Sequence, residues 1–237
     1  VYKRQPENTA SSVIEGFNQL ADGVEIDVRL TSDNKIICHH DKNALRTTGK
    51  DRLIRDMTLK EIKLLECGSW FGKSWQDEKI PELGEVFSLL PKKKDIFIEV
   101  KTNEVIVPYL LDSINKDKVS SDQITIISFY PKVIQEVKRA DAKIKCNLLI
   151  AFDYKEIEIN EIIDLTLSVD ADGVGAQNHK RLNEEFIQSL RSNNKTVHVW
   201  TVNSKKEAAE YSKLGINTIT TNRPLYLRKH LEQLKLS

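Results

Sequence analysis

The chain is organised around the segment Ala21–Asp41, ADGVEIDVRLTSDNKIICHHD, which places two carboxylates inside an apolar strand. Side chains alternate between the two faces of a β-strand, so Glu25 and Asp27 share one face. Two like charges on a buried strand are costly unless a positive charge lies between them. Because Mg²⁺ and Ca²⁺ prefer carboxylate oxygens, the pair predicts a site for a hard divalent cation. After a turn, the short strand IICHHD brings two histidines and an aspartate back beside the pair.

A later segment, DIFIEVK, repeats this arrangement of a charged face on an apolar strand. Glu99 and Lys101 share one face, and the apolar run around them indicates a buried parallel strand. Glu99 would supply a third carboxylate to the metal site, and Lys101 would offer a fixed positive charge to a phosphate oxygen. The alternative is a Glu–Lys pair on a solvated edge strand.

Extended to Gly49, the first segment reads ADGVEIDVRLTSDNKIICHHDKNALRTTG. It resembles the glycerophosphodiester phosphodiesterase family, whose pattern is close to GADxIExDVxxTxDxxxVxxHDxxxxRTT. The motifs PENT at residues 6–9 and IPELGEVF at residues 80–87 match the same family, and the resemblance extends over residues 6–224. It implies metal-dependent hydrolysis of glycerophosphodiesters to glycerol 3-phosphate and an alcohol.

The resemblance also implies roles for individual polar side chains. His40 matches one histidine of the family's catalytic pair and is expected to transfer protons, while Lys101 is expected to stabilise the pentacoordinate phosphorus. Glu7 matches a polar position near the family's site. Trp200, in the segment WTVN, resembles the aromatic wall for the glycerol or the head group, and a core tryptophan is the alternative. The expected ligands of Mg²⁺ or Ca²⁺ are the carboxylates Glu25, Asp27 and Glu99.

Three other histidines have different interpretations. His39 points to the face opposite His40 and is expected to be structural or exposed. His198 shares a face with Trp200 and is expected to be a hydrogen-bonded histidine in the interior. His179, in the segment GAQNH, is a further candidate for contact with substrate.

Strands and helices alternate along the chain at the spacing of βα units. Seven core strands are expected, and an eighth would carry the family's first motif, so the pattern predicts a (β/α)₈ TIM barrel of the phosphodiesterase type. A doubly wound open sheet is the alternative, but no glycine-rich phosphate loop follows the first strand. The chain is expected to be a single domain over residues 1–237. The seven strands are Val24–Val28, Ile96–Val100, Ile124–Ser128, Cys146–Ile150, Gly173–Gly175, Thr196–Thr201 and Ile216–Thr220.

A small insertion over the barrel mouth is expected at residues 45–80, after the second strand. It contains the aromatic segment GSWFGKSW, in which Trp70, Phe71 and Trp75 are candidates for lining a substrate entrance. The alternative is a satellite hydrophobic cluster beneath a loop.

The chain departs from the family pattern at two places. Nothing before Pro6 matches the family's HRG motif, so the first strand is expected to be missing or truncated and the activity to be impaired by loss of a histidine and an arginine. Near the other end, Asn222 replaces the aspartate of the family's TDxP motif. An asparagine can still cap the following helix, so a structural effect is expected there.

Two alternative functions remain open. One is a catalytically dead module that binds a phosphodiester or a metal, which the absence of the HRG motif would favour. The other is a lysophospholipase D-type phosphodiesterase that acts on lipid head groups, which exposed apolar residues around Trp70 would favour. The sequence does not specify the leaving alcohol or the choice between Mg²⁺ and Ca²⁺.

The composition limits the possible partners. A net charge of +1 gives no reason to expect binding to nucleic acid, and no stretch is apolar enough for stable insertion in a membrane. The expected partner is a small glycerophosphodiester, and the oligomeric state stays open. The 3 cysteines are far apart and show no zinc spacing, which favours reduced thiols in a cytoplasmic setting.

Overall fold

The structure is a computed structural model that describes residues 5–153 and 157–235. Its contacts divide the chain into two compact units, the first ending at Ile124 and the second beginning at Thr125. The prediction of a missing or truncated first strand refers to the segment before Pro6, of which residues 1–4 lie outside the described residues.

In the first unit, strand β1 (Gly23–Leu30) lies between β2 (Ile36–Cys38) and β3 (Asp95–Val100). The strand β2 pairs with β1 in antiparallel orientation, and β3 pairs with β1 in parallel. The parallel register sets Asp27 opposite Glu99, so the carboxylates of the two strands lie side by side. The last three residues of β3 are buried, as expected for a buried parallel strand rather than a solvated edge.

The first helix begins directly after residues 6–9 and fixes that segment. The hydroxyl of Thr9 accepts a hydrogen bond from the Ser12 N–H at 3.2 Å, and the Ser12 hydroxyl accepts one from the Thr9 N–H at 3.2 Å. Thr9 is completely buried and its hydroxyl lies 2.8 Å from the carbonyl oxygen of Pro6. Thr9 therefore caps the helix, in a reciprocal arrangement with Ser12. The helices of this unit are α1 (Ala10–Asn18), α2 (Leu45–Thr48), α3 (Leu59–Leu64), α4 (Leu83–Ser88) and α5 (Val107–Asp117).

Residues 45–80 contribute to a hydrophobic cluster that also includes one residue of β2. Trp70 lies outside the buried part of this cluster and is 39% exposed, while Phe71 and Trp75 are half-buried. The satellite cluster predicted as an alternative is therefore present, but the three aromatic side chains are not its buried members. Those members are Ile37, Ala44, Ile54, Met57, Ile62, Cys67 and Ile80.

The second unit contains parallel strands with a helix after each. The strands are neighbours in the order in which they occur along the chain. Each begins and ends within two residues of its prediction. The strands are β4 (Ile124–Ser128), β5 (Lys145–Ile150), β6 (Gly173–Gln177), β7 (Thr196–Trp200) and β8 (Thr218–Ile219). The helices are α6 (Pro131–Ala140), α7 (Ile159–Ser168), α8 (Glu184–Ser192), α9 (Lys205–Lys213) and α10 (Pro224–Lys235).

Strand β8 is shorter than its apolar pattern predicts. The N–H of Ile216 donates to the Tyr211 carbonyl oxygen at 3.0 Å, so this residue closes the end of α9. The side chain of Asn217 accepts a hydrogen bond from the Val197 N–H at 2.8 Å. The strand ladder therefore begins only at Thr218.

Two predictions from composition concern the cysteines and the membrane. Cys38, Cys67 and Cys146 are free and buried. Burial raises the pKa of the Cys67 thiol to about 12, so it stays protonated at neutral pH. Within residues 5–153 and 157–235, every helix is too short or too polar to cross a bilayer.

Candidate active site

Three carboxylates of the first unit converge, as the strand pattern predicts. Ligand oxygens of Glu25, Asp27 and Glu99 all lie within 4.8 Å of one another. Asp27 and Glu99 are 8% and 9% exposed, whereas Glu25 is exposed. The cluster is therefore buried at one end and open to solvent at the other.

Lys101 supplies positive charge within this cluster. Its Nζ lies 2.5 Å from Oε1 of Glu99 and 3.2 Å from Oδ1 of Asp27. Burial alone lowers the pKa of Lys101, but the attraction of the two carboxylates outweighs burial and raises it, so the ammonium stays charged. Burial raises the pKa of Glu99 and repulsion from Asp27 adds to this, against the opposing effect of Lys101. Additional positive charge would therefore stabilise the ionised form of Glu99.

The donor set fits a hard divalent cation. Oε1 of Glu99 is buried and pairs with the ammonium of Lys101, and no further hydrogen-bond donor reaches this oxygen in the described part of the chain. If all three carboxylates are ionised, they and the ammonium of Lys101 carry two net negative charges, which a divalent cation would neutralise. Oxygen ligands without thiol or imidazole favour Mg²⁺ or Ca²⁺ over zinc.

Asn8 holds one of these carboxylates in place. Its Nδ2 donates to Oδ2 of Asp27 at 2.8 Å, and its Oδ1 accepts a hydrogen bond from the Asp27 N–H at 2.9 Å. Asn8 has a φ of 55°, in the left-handed region, where asparagine is one of the few residues tolerated. Asn8 lies within PENT, but its contact with a residue 19 positions away leaves no local signal in the sequence from which its role could be predicted.

The neighbouring histidines His39 and His40 follow the end of β2 and differ in their surroundings. His39 is 4% exposed, its Nδ1 lies 2.9 Å from the Asp41 carbonyl oxygen and its Nε2 lies 3.0 Å from the Thr47 hydroxyl. Burial lowers the pKa of His39, which is therefore a neutral structural residue. His40 is exposed, and its Nδ1 lies 2.7 Å from Oδ1 of Asp41. Of this pair, only His40 presents its ring to solvent.

Arg46 connects the His40 side of the site to the PENT segment. Its Nε lies 2.6 Å from Oδ2 of Asp41 and its Nη2 lies 3.3 Å from Oδ1 of the same carboxylate. The same Nη2 pairs with Glu7, and the guanidinium carbon lies 5.3 Å from the centre of the Trp70 ring. Glu7, a predicted substrate contact, is therefore linked to His40 through Arg46 and Asp41.

Arg29 is a second site residue that was not predicted. Its Nε and Nη2 donate to the carbonyl oxygen of His40 at 2.9 and 2.6 Å, and its Nη1 donates to the carbonyl oxygen of Lys101 at 2.9 Å. One guanidinium therefore fixes the backbone at both predicted catalytic residues. The period of two along β1 places Arg29 on the face of Glu25 and Asp27, and this signal was available in the sequence.

Trp200 lies in the second unit, unlike the other six predicted site residues. It is half-buried, and its Nε1 donates to the carbonyl oxygen of Gly175 at 3.0 Å. Phe129 packs edge-on against its ring at a centroid distance of 5.7 Å, and Phe129 itself is 41% exposed. The ring N–H of Trp200 is thus fixed by the backbone of β6, and the ring lies beside the exposed side chain of Phe129.

Two histidines of the second unit, His198 and His179, also have defined contacts. His198 is buried, and its two ring nitrogens lie 2.8 Å from the Thr218 hydroxyl and 3.1 Å from the Thr220 hydroxyl. This confirms the prediction of a hydrogen-bonded interior histidine. His179 stacks on Phe152 at a centroid distance of 5.3 Å, and its role in substrate contact stays a prediction.

Sequence comparison finds one family over nearly the whole chain. The profile of the Glycerophosphoryl diester phosphodiesterase family matches residues 2–226. The glycerophosphodiester phosphodiesterase of Caldanaerobacter subterraneus subsp. tengcongensis is 29% identical over 226 residues, which cover 94% of this chain and 90% of that protein. A glycerophosphodiester phosphodiesterase of Bacillus subtilis is 27% identical, over 92% of this chain and 80% of that protein.

Solved structures show the same fold. An Oleispira antarctica phosphodiesterase in complex with the product sn-glycerol-3-phosphate matches with a TM-score of 0.87 and 22% identity, over 97% of this chain and 92% of that chain. The glycerophosphodiester phosphodiesterase of Thermotoga maritima matches with a TM-score of 0.77 and 25% identity, over 94% of this chain and 91% of that chain. The predicted fold class, an α/β barrel of the phosphodiesterase type, is confirmed.

Proposed function

Because this chain belongs to the glycerophosphoryl diester phosphodiesterase family, we propose that it hydrolyses glycerophosphodiesters to glycerol 3-phosphate and an alcohol with the help of a divalent cation. The observation that carries this proposal is the convergence of Glu25, Asp27 and Glu99 around the ammonium of Lys101. Buried carboxylates with an excess of negative charge suit a cation, and a cation beside a fixed ammonium suits a phosphodiester.

The three carboxylates would hold the cation, Mg²⁺ or Ca²⁺. When bound, the cation would neutralise charge on the phosphate and lower the pKa of the attacking hydroxyl. The amide of Asn8 holds Oδ2 of the Asp27 carboxylate and so restricts the orientation in which this ligand would meet the cation.

Lys101 is proposed to stabilise the negative charge that develops on the phosphorus oxygens. Its ammonium is charged and held by two carboxylates, so the positive charge is already in place before the reaction. His40 is proposed to transfer the proton between the reacting hydroxyl and the leaving alkoxide, a role for which imidazole suits neutral pH. The family resemblance implies that a glycerol hydroxyl attacks phosphorus, and that water then opens the resulting cyclic phosphate.

Glu7 and Trp200 are proposed substrate contacts. The carboxylate of Glu7 already pairs with Arg46, which fixes its orientation on the side of the site that carries His40. Trp200 is held through its ring N–H and lies beside the exposed ring of Phe129, an arrangement that suits an aromatic wall for a glycerol or head group. The roles of Glu7 and Trp200 stay predictions.

The organisation as a single domain with an insertion at residues 45–80 also stays a prediction, as does the cytoplasmic setting.

A lysophospholipase D-type activity is the second candidate function. Leu45, Leu64 and Trp70, all within residues 45–80, are 51%, 76% and 39% exposed, and exposed apolar side chains suit a substrate with an acyl chain. The two candidates are separated by turnover of micellar lysophosphatidylethanolamine against glycerophosphoethanolamine. Higher kcat/KM for the micellar substrate would favour the second candidate.

The metal site is tested by three variants measured for both cation binding and turnover. Glu25→Ala, Asp27→Asn and Glu99→Gln should each weaken calorimetric binding of Mg²⁺ or Ca²⁺ and lower hydrolysis of glycerophosphoethanolamine. Asp112→Asn, which removes an exposed carboxylate of α5, is the matched control and should change neither. Cation binding without turnover in the unchanged chain would instead identify a binding module that is catalytically dead.

A further inference from the structure

The loop after β2 contains a chain of contacts that ends on the proposed acid–base group. We propose that Asp41 and Arg46 are positioning residues for His40: Asp41 fixes which ring nitrogen carries the permanent proton, and Arg46 fixes Asp41. This inference rests on the proposed function, because it is His40 that is assigned the proton transfer there.

The contact with Asp41 fixes the tautomer of His40. Its Nδ1 lies 2.7 Å from Oδ1 of Asp41, a hydrogen-bond distance. Hydrogen bonding to Arg46 holds the pKa of the Asp41 carboxyl well below its usual range, so this carboxylate is ionised and can only accept. Nδ1 of His40 must therefore carry a proton in both the neutral and the charged ring. Nε2 is then the nitrogen that exchanges a proton with the substrate.

The contact with Arg46 fixes the orientation of the Asp41 carboxylate. Arg46 approaches both carboxylate oxygens, Nε at 2.6 Å from Oδ2 and Nη2 at 3.3 Å from Oδ1, and a two-point contact fixes the plane of the carboxylate. Oδ1 is the oxygen that faces His40, so the plane of the carboxylate determines the direction of the hydrogen bond to the ring.

Arg46 itself is also held in place. Glu7 pairs with its Nη2, and the ring of Trp70 covers its guanidinium at 5.3 Å. The backbone beneath is also fixed, since the ring of the buried His39 contacts the Asp41 carbonyl oxygen at 2.9 Å. The contacts thus extend without a break from Glu7 and Trp70 to the ring of His40.

An ordinary surface ion-pair network would look similar but would act differently. The side chains of His40, Asp41 and Arg46 are 50%, 29% and 41% exposed, and ion pairs at such exposure contribute little to stability. Loss of Arg46 should therefore appear in kcat and in the state of the imidazole, with little change in Tm.

The first test is the tautomer of His40, read from the ¹⁵N chemical shifts of the imidazole nitrogens above neutral pH. The His40 signals are assigned by their absence in His40→Gln. In the unchanged chain we expect Nδ1 to be protonated. In Asp41→Ala we expect the Nε2-protonated form, which free imidazole side chains prefer, and in Arg46→Ala a mixture. An Nε2-protonated His40 in the unchanged chain would overturn the proposal.

The second test is kinetic and uses glycerophosphoethanolamine with saturating Mg²⁺ or Ca²⁺. A general acid–base group contributes roughly 10²–10⁴-fold, so we expect Asp41→Ala to lower kcat by about 10²-fold and Arg46→Ala by about tenfold, with KM nearly unchanged. Arg46→Lys keeps the charge but not the two-point contact, and should recover only part of the loss. Arg52→Ala is the control, because Arg52 has the same 41% side-chain exposure and pairs with Glu61, outside this network.

The outcomes separate the two claims. An unchanged chain that hydrolyses the substrate, with Asp41→Ala and Arg46→Ala at the same kcat, overturns the positioning roles and leaves the proposed function intact. An unchanged chain without turnover contradicts the proposed function, and the tautomer measurement then decides the positioning roles alone. A fall in kcat that Arg52→Ala reproduces also overturns the proposal.

Discussion

Acidification should destabilise the second unit through His198, the buried histidine of β7. Its side chain is 2% exposed, and burial lowers its pKa from 6.5 to about 4. Between these two pH values the unfolded chain binds a proton that the folded chain does not, so stability falls as the pH falls. The contribution of His198 to the free energy of unfolding is therefore complete above pH 6.5, the pKa of the residue in the unfolded chain. It is lost as the pH falls towards about 4, the pKa in the folded chain. The difference corresponds to about 3 kcal/mol, of which about 2 kcal/mol is lost between about pH 7.5 and pH 5.

The assay is urea unfolding followed by circular dichroism at several pH values in this window. His198→Gln keeps a polar side chain near Thr218 and Thr220 but removes the titration, so its free energy of unfolding should depend less on pH by about 2 kcal/mol. His230→Gln, on helix α10, is the control and should retain the pH dependence of the unchanged chain. Equal pH dependence in His198→Gln and the unchanged chain would show that the titration of His198 does not contribute to the acid sensitivity.

Three further predictions concern the candidate site. Mg²⁺ or Ca²⁺ should raise the Tm of the unchanged chain more than that of Glu99→Gln, because a ligand of the folded state adds about 2.7 kcal/mol at one hundred times its Kd. Equal increases in Tm would contradict the ligand role of Glu99. Asn8→Ala should weaken cation binding about tenfold in calorimetry, because Asp27 loses the amide that orients it; an unchanged Kd would show that this orientation is unimportant. Arg29→Lys should lower kcat about tenfold, because one ammonium cannot bridge two carbonyl groups as a guanidinium does, whereas Arg55→Lys should keep the activity of the unchanged chain. Full activity of Arg29→Lys would remove Arg29 from the site.

The carboxylate cluster was predictable because it depends on one simple rule. Side chains two residues apart on a strand share a face, and residues that are paired in the register of two neighbouring parallel strands lie side by side. Asp27 and Glu99 therefore meet through strand register alone, and Lys101 follows two residues later on the same face. The buried His39 and the exposed His40 lie beyond the end of β2, so this rule does not account for the difference between them.

The contacts between loops were not predictable in this way. Arg46 pairs with Glu7, 39 positions earlier in the chain, and no period links two loops. The contact of Asn8 depends on a left-handed backbone conformation at this one residue, which the motif PENT by itself does not indicate. The shortening of β8 was likewise not predictable. The apolar pattern includes Ile216, but the N–H of this residue donates to the end of α9 instead of joining the strand.

The proposed function requires that the cluster of Glu25, Asp27, Glu99 and Lys101 perform cation-dependent hydrolysis of a glycerophosphodiester. The most direct measurement is ³¹P NMR of glycerophosphoethanolamine incubated with the chain and Mg²⁺ or Ca²⁺, with and without chelator. We expect the diester signal to be replaced by that of glycerol 3-phosphate, and chelator to abolish the conversion. Conversion that persists at the same rate in chelator, or in Glu99→Gln without cation, would contradict the account.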